Sequence, residues 1–381
     1  MILRYGENMT KEQNKLWTYP LIFGILGAFI GLVLRYTFAN PITGFPLKNV
    51  IHSHSHIILL GFLFNALVVL LWTRFTNGID KVSFRYYLAL QVCISVMLVA
   101  FILQGYAAVS ITFSTLHLWI SYILLIRLWK RLKGNKNVLF LIKTGIVFHF
   151  IASIGPYCLG PLMVLQMQES PWYQQAIFFY LHFQYFGSFF LWLLAVFFQK
   201  ASISVSKNQA LIIIASCIFI YAHSLDYNFN HWLIQLFGGV GSVLLLGLLF
   251  SLKKHIKNIS KPYQIFFYSL LLVAIINVIG SFPQMANLVE DNRFILIAYL
   301  HFLFLGIYMP FIWMQLNKNI HSSIWWSFAL IVLFSELLLI FPYTFSNLFS
   351  ISIMWLLFIA YLGVFLCICI VHLKHLFKPY K

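Results

Sequence analysis

Leu16-Trp17-Thr18-Tyr19-Pro20-Leu21-Ile22-Phe23-Gly24-Ile25-Leu26-Gly27-Ala28-Phe29-Ile30-Gly31-Leu32-Val33-Leu34 carries no charged side chain from end to end. At the rise of ~1.5 Å per residue of an α-helix, a run of this length nearly matches the ~30 Å apolar core of a bilayer. Only a helix satisfies every backbone group of a single segment there. The residues before Leu16 are mostly polar, so the sequence predicts no cleavable leader and makes this run the first transmembrane helix. Runs of the same character follow, giving twelve in all at 16–36, 49–73, 85–104, 108–130, 138–163, 172–199, 208–224, 231–252, 262–282, 293–315, 323–342 and 347–373. With 62% hydrophobic and only 9% charged residues, the chain has too little charge to cover a soluble surface of 381 residues. The sequence therefore predicts an all-α polytopic membrane protein of about twelve transmembrane helices, forming one transmembrane domain over 1–381.

The net charge of +17 reflects topology, and no nucleic-acid partner is expected. With both termini cytoplasmic, all of the 25 basic residues except Arg35, Lys48 and Arg293 fall in cytoplasmic segments. A wrong helix count would scramble that alternation. The expected setting is a lipid bilayer, specifically a cell membrane such as the inner membrane of a bacterium. Cys93, Cys158, Cys217, Cys367 and Cys369 all lie in apolar runs and read as small buried hydrophobes. With no Cys-x-x-Cys-His, neither covalent c-type haem nor an external disulfide framework is expected.

A repeat centred on histidine runs through the chain. The sixth run holds Tyr180-Leu181-His182-Phe183-Gln184-Tyr185-Phe186-Gly187, and the tenth holds Tyr299-Leu300-His301-Phe302-Leu303-Phe304-Leu305-Gly306. The second holds His56-Ile57-Ile58-Leu59-Leu60-Gly61. Each histidine precedes a glycine by five residues, and the intervals of 126 and 119 residues equal four helices each time. Ser153-Ile154-Gly155-Pro156 in the fifth run echoes Ile279-Gly280-Ser281-Phe282-Pro283 in the ninth. Three pseudo-repeats of four helices follow, at roughly 16–130, 138–252 and 262–373.

His56, His182 and His301 each lie ~12–15 Å in from the external end of their helices. His117 enters from the same side at a similar depth, and His223 lies near the external end of the seventh run. An isolated intramembrane histidine is usually a core residue bonded to a carbonyl, and this reading is preferred for His149 and His231. A coplanar set is a functional candidate, because polar groups in hydrocarbon are expensive unless used. Neutral imidazole offers a lone pair to a metal while its other nitrogen donates a hydrogen bond, and haem iron accepts such axial ligands. Forty phenylalanines suit the sheathing of a porphyrin, although most must simply face lipid. The glycines after each histidine would admit a macrocycle or a neighbouring helix. Arg35, Lys48 and Arg293 are candidates for neutralising propionates, or are ordinary loop charges. On the second run, His52 and His56 share a face and His54 points away, so one face could hold haem and the other a second partner. The repeat selects His56 as the axial candidate. His255, His321, His372 and His375, beside lysines at helix ends, read as solvated.

These residues resemble the haem-copper oxidase subunit I superfamily, including its nitric oxide reductase branch and the related twelve-helix haem proteins of nitric oxide stress. The resemblance implies twelve helices in three arcs, with metal ligands from the second, sixth, seventh and tenth. It implies that His56 (or His54) and His301 ligate a low-spin haem, and that His182 and His223 match copper-site ligands. The chain departs from the pattern in several places. Leu303 stands where a second tenth-helix histidine is expected, Ser224 follows His223, and Phe186 stands where oxygen reductases often carry tyrosine, with Tyr185 one residue early. Glu336 is the single acid within a run, so no proton-pumping pathway is evident.

The expectation is therefore a b-type haem, with copper or iron at a reduced second site built from His182, His223, His117 and His52. The expected work is electron transfer, or the handling or sensing of nitric oxide or oxygen. An oxidoreductase of this kind would take electrons from a quinol or cytochrome and bind a gas ligand. The alternative is a transporter or metal-ion permease using intramembrane histidines. A third reading is an assembly factor without a cofactor.

Overall fold

The computed structural model describes residues 11–225, 232–316 and 320–377. His231 lies outside the described residues. Among them every regular element is helical, and eleven helices are long and apolar enough to cross a membrane. These are α1 (Lys11–Ala39), α2 (Leu47–Phe75), α3 (Lys81–Gln104), α4 (Ala108–Trp129), α5 (Lys136–Val164), α6 (Pro171–Lys200), α8 (Trp232–Ile256), α9 (Lys261–Gly280), α10 (Arg293–Leu316), α11 (Ser322–Ile340) and α12 (Ile353–Leu376). The expected seventh run is also helical, as α7 (Lys207–Ile220) continued by a 3₁₀ turn at Tyr221–Ser224. The turn rises faster per residue than α-helix, so α7 and its extension together reach about 29 Å, close to one bilayer core. The chain is an all-α polytopic membrane protein.

The boundaries follow from local chemistry. Asp80 caps α3 by accepting from the backbone N–H groups of Val82 and Ser83, and Arg127 of α4 reaches the same carboxylate at 2.8 Å. Ser206 and Gln209 form a reciprocal capping box at the start of α7. Short helices at Pro283–Asp291 and Pro342–Phe349 each place proline in the first turn, where its missing N–H has no helical partner to lose.

The contacts divide the chain into two compact units. The first takes α1–α4, α11 and α12. Its centre is α2, whose residues from Phe62 to Leu71 are almost wholly buried, which is why that stretch is apolar except at Asn65, whose amide donates to the Gln91 side-chain oxygen at 2.8 Å. A glycine line on α1 admits its neighbours. A Cβ at Gly24 would lie 2.6 Å from Cε1 of His372, one at Gly27 would lie 2.5 Å from Ile58, and one at Gly31 would lie 2.5 Å from the Tyr361 hydroxyl. Small residues let backbones approach and gain dispersion contacts, the main source of helix association in lipid.

The second unit takes α5–α10 and centres on α6, buried from Phe186 through Phe198. Gly145 on α5 makes room for Trp192, whose indole N–H donates to the Ile142 carbonyl at 3.1 Å.

Two sequence expectations change here. His372 is fully buried: its Nδ1 lies 3.0 Å from the Leu21 carbonyl and its ring packs against Phe62. Gly24 opens the space that draws it inward, whereas His255 and His321 are exposed as expected and His375 is half-buried. Cys158 is exposed, because it lies beyond the break at Ser153 where α5 offers an outward face; Cys369 is partly buried and the other three are buried.

Candidate cofactor and metal sites

The histidine repeat has a backbone counterpart. Directly after His56, His182 and His301 the helix widens into π-helical segments, Ile57–Phe64, Phe183–Phe189 and Phe302–Tyr308. In each, glycine is the fifth residue. Phenylalanine from a neighbouring helix fills the space at two of them: a Cβ on Gly61 would meet Phe23 at 3.0 Å, and one on Gly187 would meet Phe148 at 2.9 Å. At Gly306 the nearest atoms belong to Phe302 of the same helix. These glycines admit side chains, and at Gly61 and Gly187 no room remains for a macrocycle.

In the first unit, α2 directs its histidines in two directions. His54 turns to α1, with Nδ1 2.9 Å from the Gly27 carbonyl and its ring beside Gly31. A carbonyl only accepts, so Nδ1 carries the proton and Nε2 of the neutral ring carries the lone pair. His52 and His56 turn to the α3–α4 connection. The His56 ring stacks on Phe101 with centroids 4.4 Å apart, and its Nε2 is 3.0 Å from the Tyr106 hydroxyl. The His52 ring meets Tyr106 edge-on at 4.7 Å. His117 is buried against Phe64. Arg35 is half-buried within Coulombic range of Glu336 and Tyr361, so its charge already faces a buried carboxylate.

In the second unit, His182 is buried with both ring nitrogens engaged. Nε2 is 2.8 Å from the Cys217 carbonyl and therefore donates, while Nδ1 accepts from the Ser224 hydroxyl at 3.3 Å. Its ring stacks on Phe186, which stacks in turn on Tyr299, whose hydroxyl donates to Asn277 at 2.7 Å. His223 lies within Coulombic range of His182, and its Nε2 is 2.9 Å from the Ser281 oxygen. The Ser281 hydroxyl donates to the Asn277 carbonyl, so His223 Nε2 is the protonated nitrogen. His149 pairs with the Gln184 amide, in line with a satisfied core histidine. His301 is half-buried at the head of its π-segment, and Arg293 is exposed at the start of α10.

A haem ligand needs one anchored ring nitrogen and one lone pair to give. His54 has the anchored nitrogen, with Nδ1 held on the Gly27 carbonyl. His182 fits only if the Ser224 bond is surrendered, and the Nε2 of His56 is already met by Tyr106. No three histidine, cysteine or acidic side chains converge as a metal-holding group among the described residues. Of the residues expected at a second metal site, His182 and His223 belong to the second unit and His117 and His52 to the first.

Tyr106, Tyr361 and Asn277 carry no signal in the sequence, whereas Ser224 stands out as the residue after His223 and Ser281 through the echo between the fifth and ninth runs. No family model matches the sequence, and no curated protein matches it.

Proposed function

We propose that this chain is a haem-binding integral membrane protein of the electron-transfer or gas-handling class, set in a cell membrane with its lysine-rich loops cytoplasmic. The observation that supports this most is the threefold recurrence of a histidine immediately before a π-segment with glycine at its fifth position. π-Segments are rare, and they concentrate at functional sites. His301 heads one of these segments and His54 lies two residues before the head of another; each is assigned as a haem ligand in its own unit. Bound haem would supply one-electron or gas-ligand chemistry at iron. The protein's own contribution is the Gly27 carbonyl that orients His54, and apolar packing that excludes water. Arg293 is the cation assigned to a propionate, since Arg35 already faces Glu336.

The test is the absorption spectrum of the purified protein in detergent. The reading expects a Soret band and reduced-minus-oxidised α and β bands, with the pyridine haemochrome of b-type haem. His54→Ala and His301→Ala should each diminish the band, and His321→Ala should leave it intact. A folded, helical preparation without haem would refute the reading. A transporter is the second reading, favoured by the buried Glu336 beside Arg35 and Tyr361. Proton-coupled uptake into vesicles that Glu336→Gln abolishes would support it.

A further inference from the structure

The face of α2 opposite His54 holds a group of ligating atoms that the haem reading does not use. His52 and His56 stand one helical turn apart, with side chains on the same face and Cβ atoms about 5–6 Å from each other. This i, i+4 pairing is the spacing with which helical histidines hold a single transition-metal ion. The Nε2 atom of His52 is buried and has no hydrogen-bond partner. A buried imidazole nitrogen without a partner is costly, and the cost is removed when the nitrogen binds a metal. The Nε2 atom of His56 points to the Tyr106 hydroxyl at 3.0 Å, and the ring of Tyr106 also closes over His52 at 4.7 Å.

The backbone explains how Tyr106 arrives there. Gly105 has φ +64°, a left-handed conformation that terminates α3 and folds the connection back over α2. A Cβ at Gly105 would lie 2.5 Å from the side-chain oxygen of Asn49, so the turn also needs glycine for space. Two imidazoles and a phenol are thereby gathered at the end of the first unit where α2 begins.

We propose that His52 and His56, with Tyr106 as the third group, bind a copper ion. The donor set decides the metal. Imidazole nitrogens suit copper, zinc and nickel, and at a given N/O site copper binds most tightly of the divalent ions. Carboxylate and thiolate contribute nothing here, which disfavours calcium, magnesium and iron–sulfur chemistry. Lys48 lies within Coulombic range of His52 and opposes the added positive charge, which holds the affinity down. The site is separate from the haem ligation assigned to His54 and His301, and each can fail without the other.

The test is titration of the metal-free, full-length protein with copper(II) sulfate, with glycine present to suppress weak surface binding. Bound copper is counted by elemental analysis and its ligands are read by electron paramagnetic resonance. The expected result is one copper per chain with hyperfine structure from two imidazole nitrogens. His52→Ala and His56→Ala should each weaken binding at least about a hundredfold and remove one nitrogen from the spectrum. Tyr106→Phe should retain both nitrogens and weaken binding about tenfold. Lys48→Met should tighten binding two- to threefold, a gain that a misfolded variant would not give. Copper bound equally well by His52→Ala, or no copper bound beyond what His321→Ala also loses, would overturn the proposal whatever the haem content.

Discussion

His372→Ala separates what the fold does with this residue from what its sequence neighbours suggest. The side chain is fully buried, its Nδ1 donates to the Leu21 carbonyl at 3.0 Å, and its ring lies against Phe62 and over Gly24. Loss of the hydrogen bond should cost about 1 kcal/mol. The Leu21 carbonyl keeps its own helical partner, so no orphan penalty is added. Truncating the ring leaves a hole between three helices, and large-to-small changes in a packed core cost about 2–5 kcal/mol. The lower end applies, because Gly24 allows α1 to settle inward. The sum is about 3 kcal/mol. His375→Ala, one turn along on a partly exposed face, should cost under about 0.5 kcal/mol. The assay is equilibrium unfolding in mixed micelles, followed by helical circular dichroism for both variants. Equal losses for the two substitutions would refute the placement of His372 in the core.

Gly145→Ala puts a Cβ 2.5 Å from the Trp192 indole nitrogen and 3.1 Å from the Ser188 carbonyl, so it should cost about 1–3 kcal/mol and shift the tryptophan emission. Arg127→Met should cost at most about 1 kcal/mol, since the pair with Asp80 is roughly 30% exposed, whereas Asp80→Ala should cost more because it also uncaps α3. A comparison of the two melting curves decides that order. Tyr308→Phe removes a buried hydroxyl that donates to the Tyr185 carbonyl at 2.5 Å, so it should lower stability by about 1 kcal/mol without changing helical content.

The sequence already carried the helical architecture, because uninterrupted apolar length and basic loops are properties of the chain taken locally. The separation of His54 from His52 and His56 was equally legible, since the 100° step of a helix fixes it before any packing occurs. The π-segments were not legible: at Ile57–Phe64 every position is apolar, so a widened turn leaves no trace in the hydropathy pattern. His372 was misread for a different reason. Its neighbours Lys374 and His375 signal a solvated end, while the cause of its burial, Gly24, lies at the other end of the chain. The placing of Arg35 within Coulombic range of Glu336 likewise brings distant segments together. So does the engagement of both His182 nitrogens, which turned on the identity of Ser224 and the position of a backbone carbonyl at Cys217.

The central claim is that imidazoles of this chain ligate haem iron, and it is tested most directly by electron–nuclear double resonance on protein labelled with ¹⁵N-histidine. The account predicts a low-spin ferric signal with ¹⁵N couplings, lost in His301→Ala. A folded preparation with no ferric haem signal, or with a signal lacking histidine ¹⁵N couplings, would contradict it.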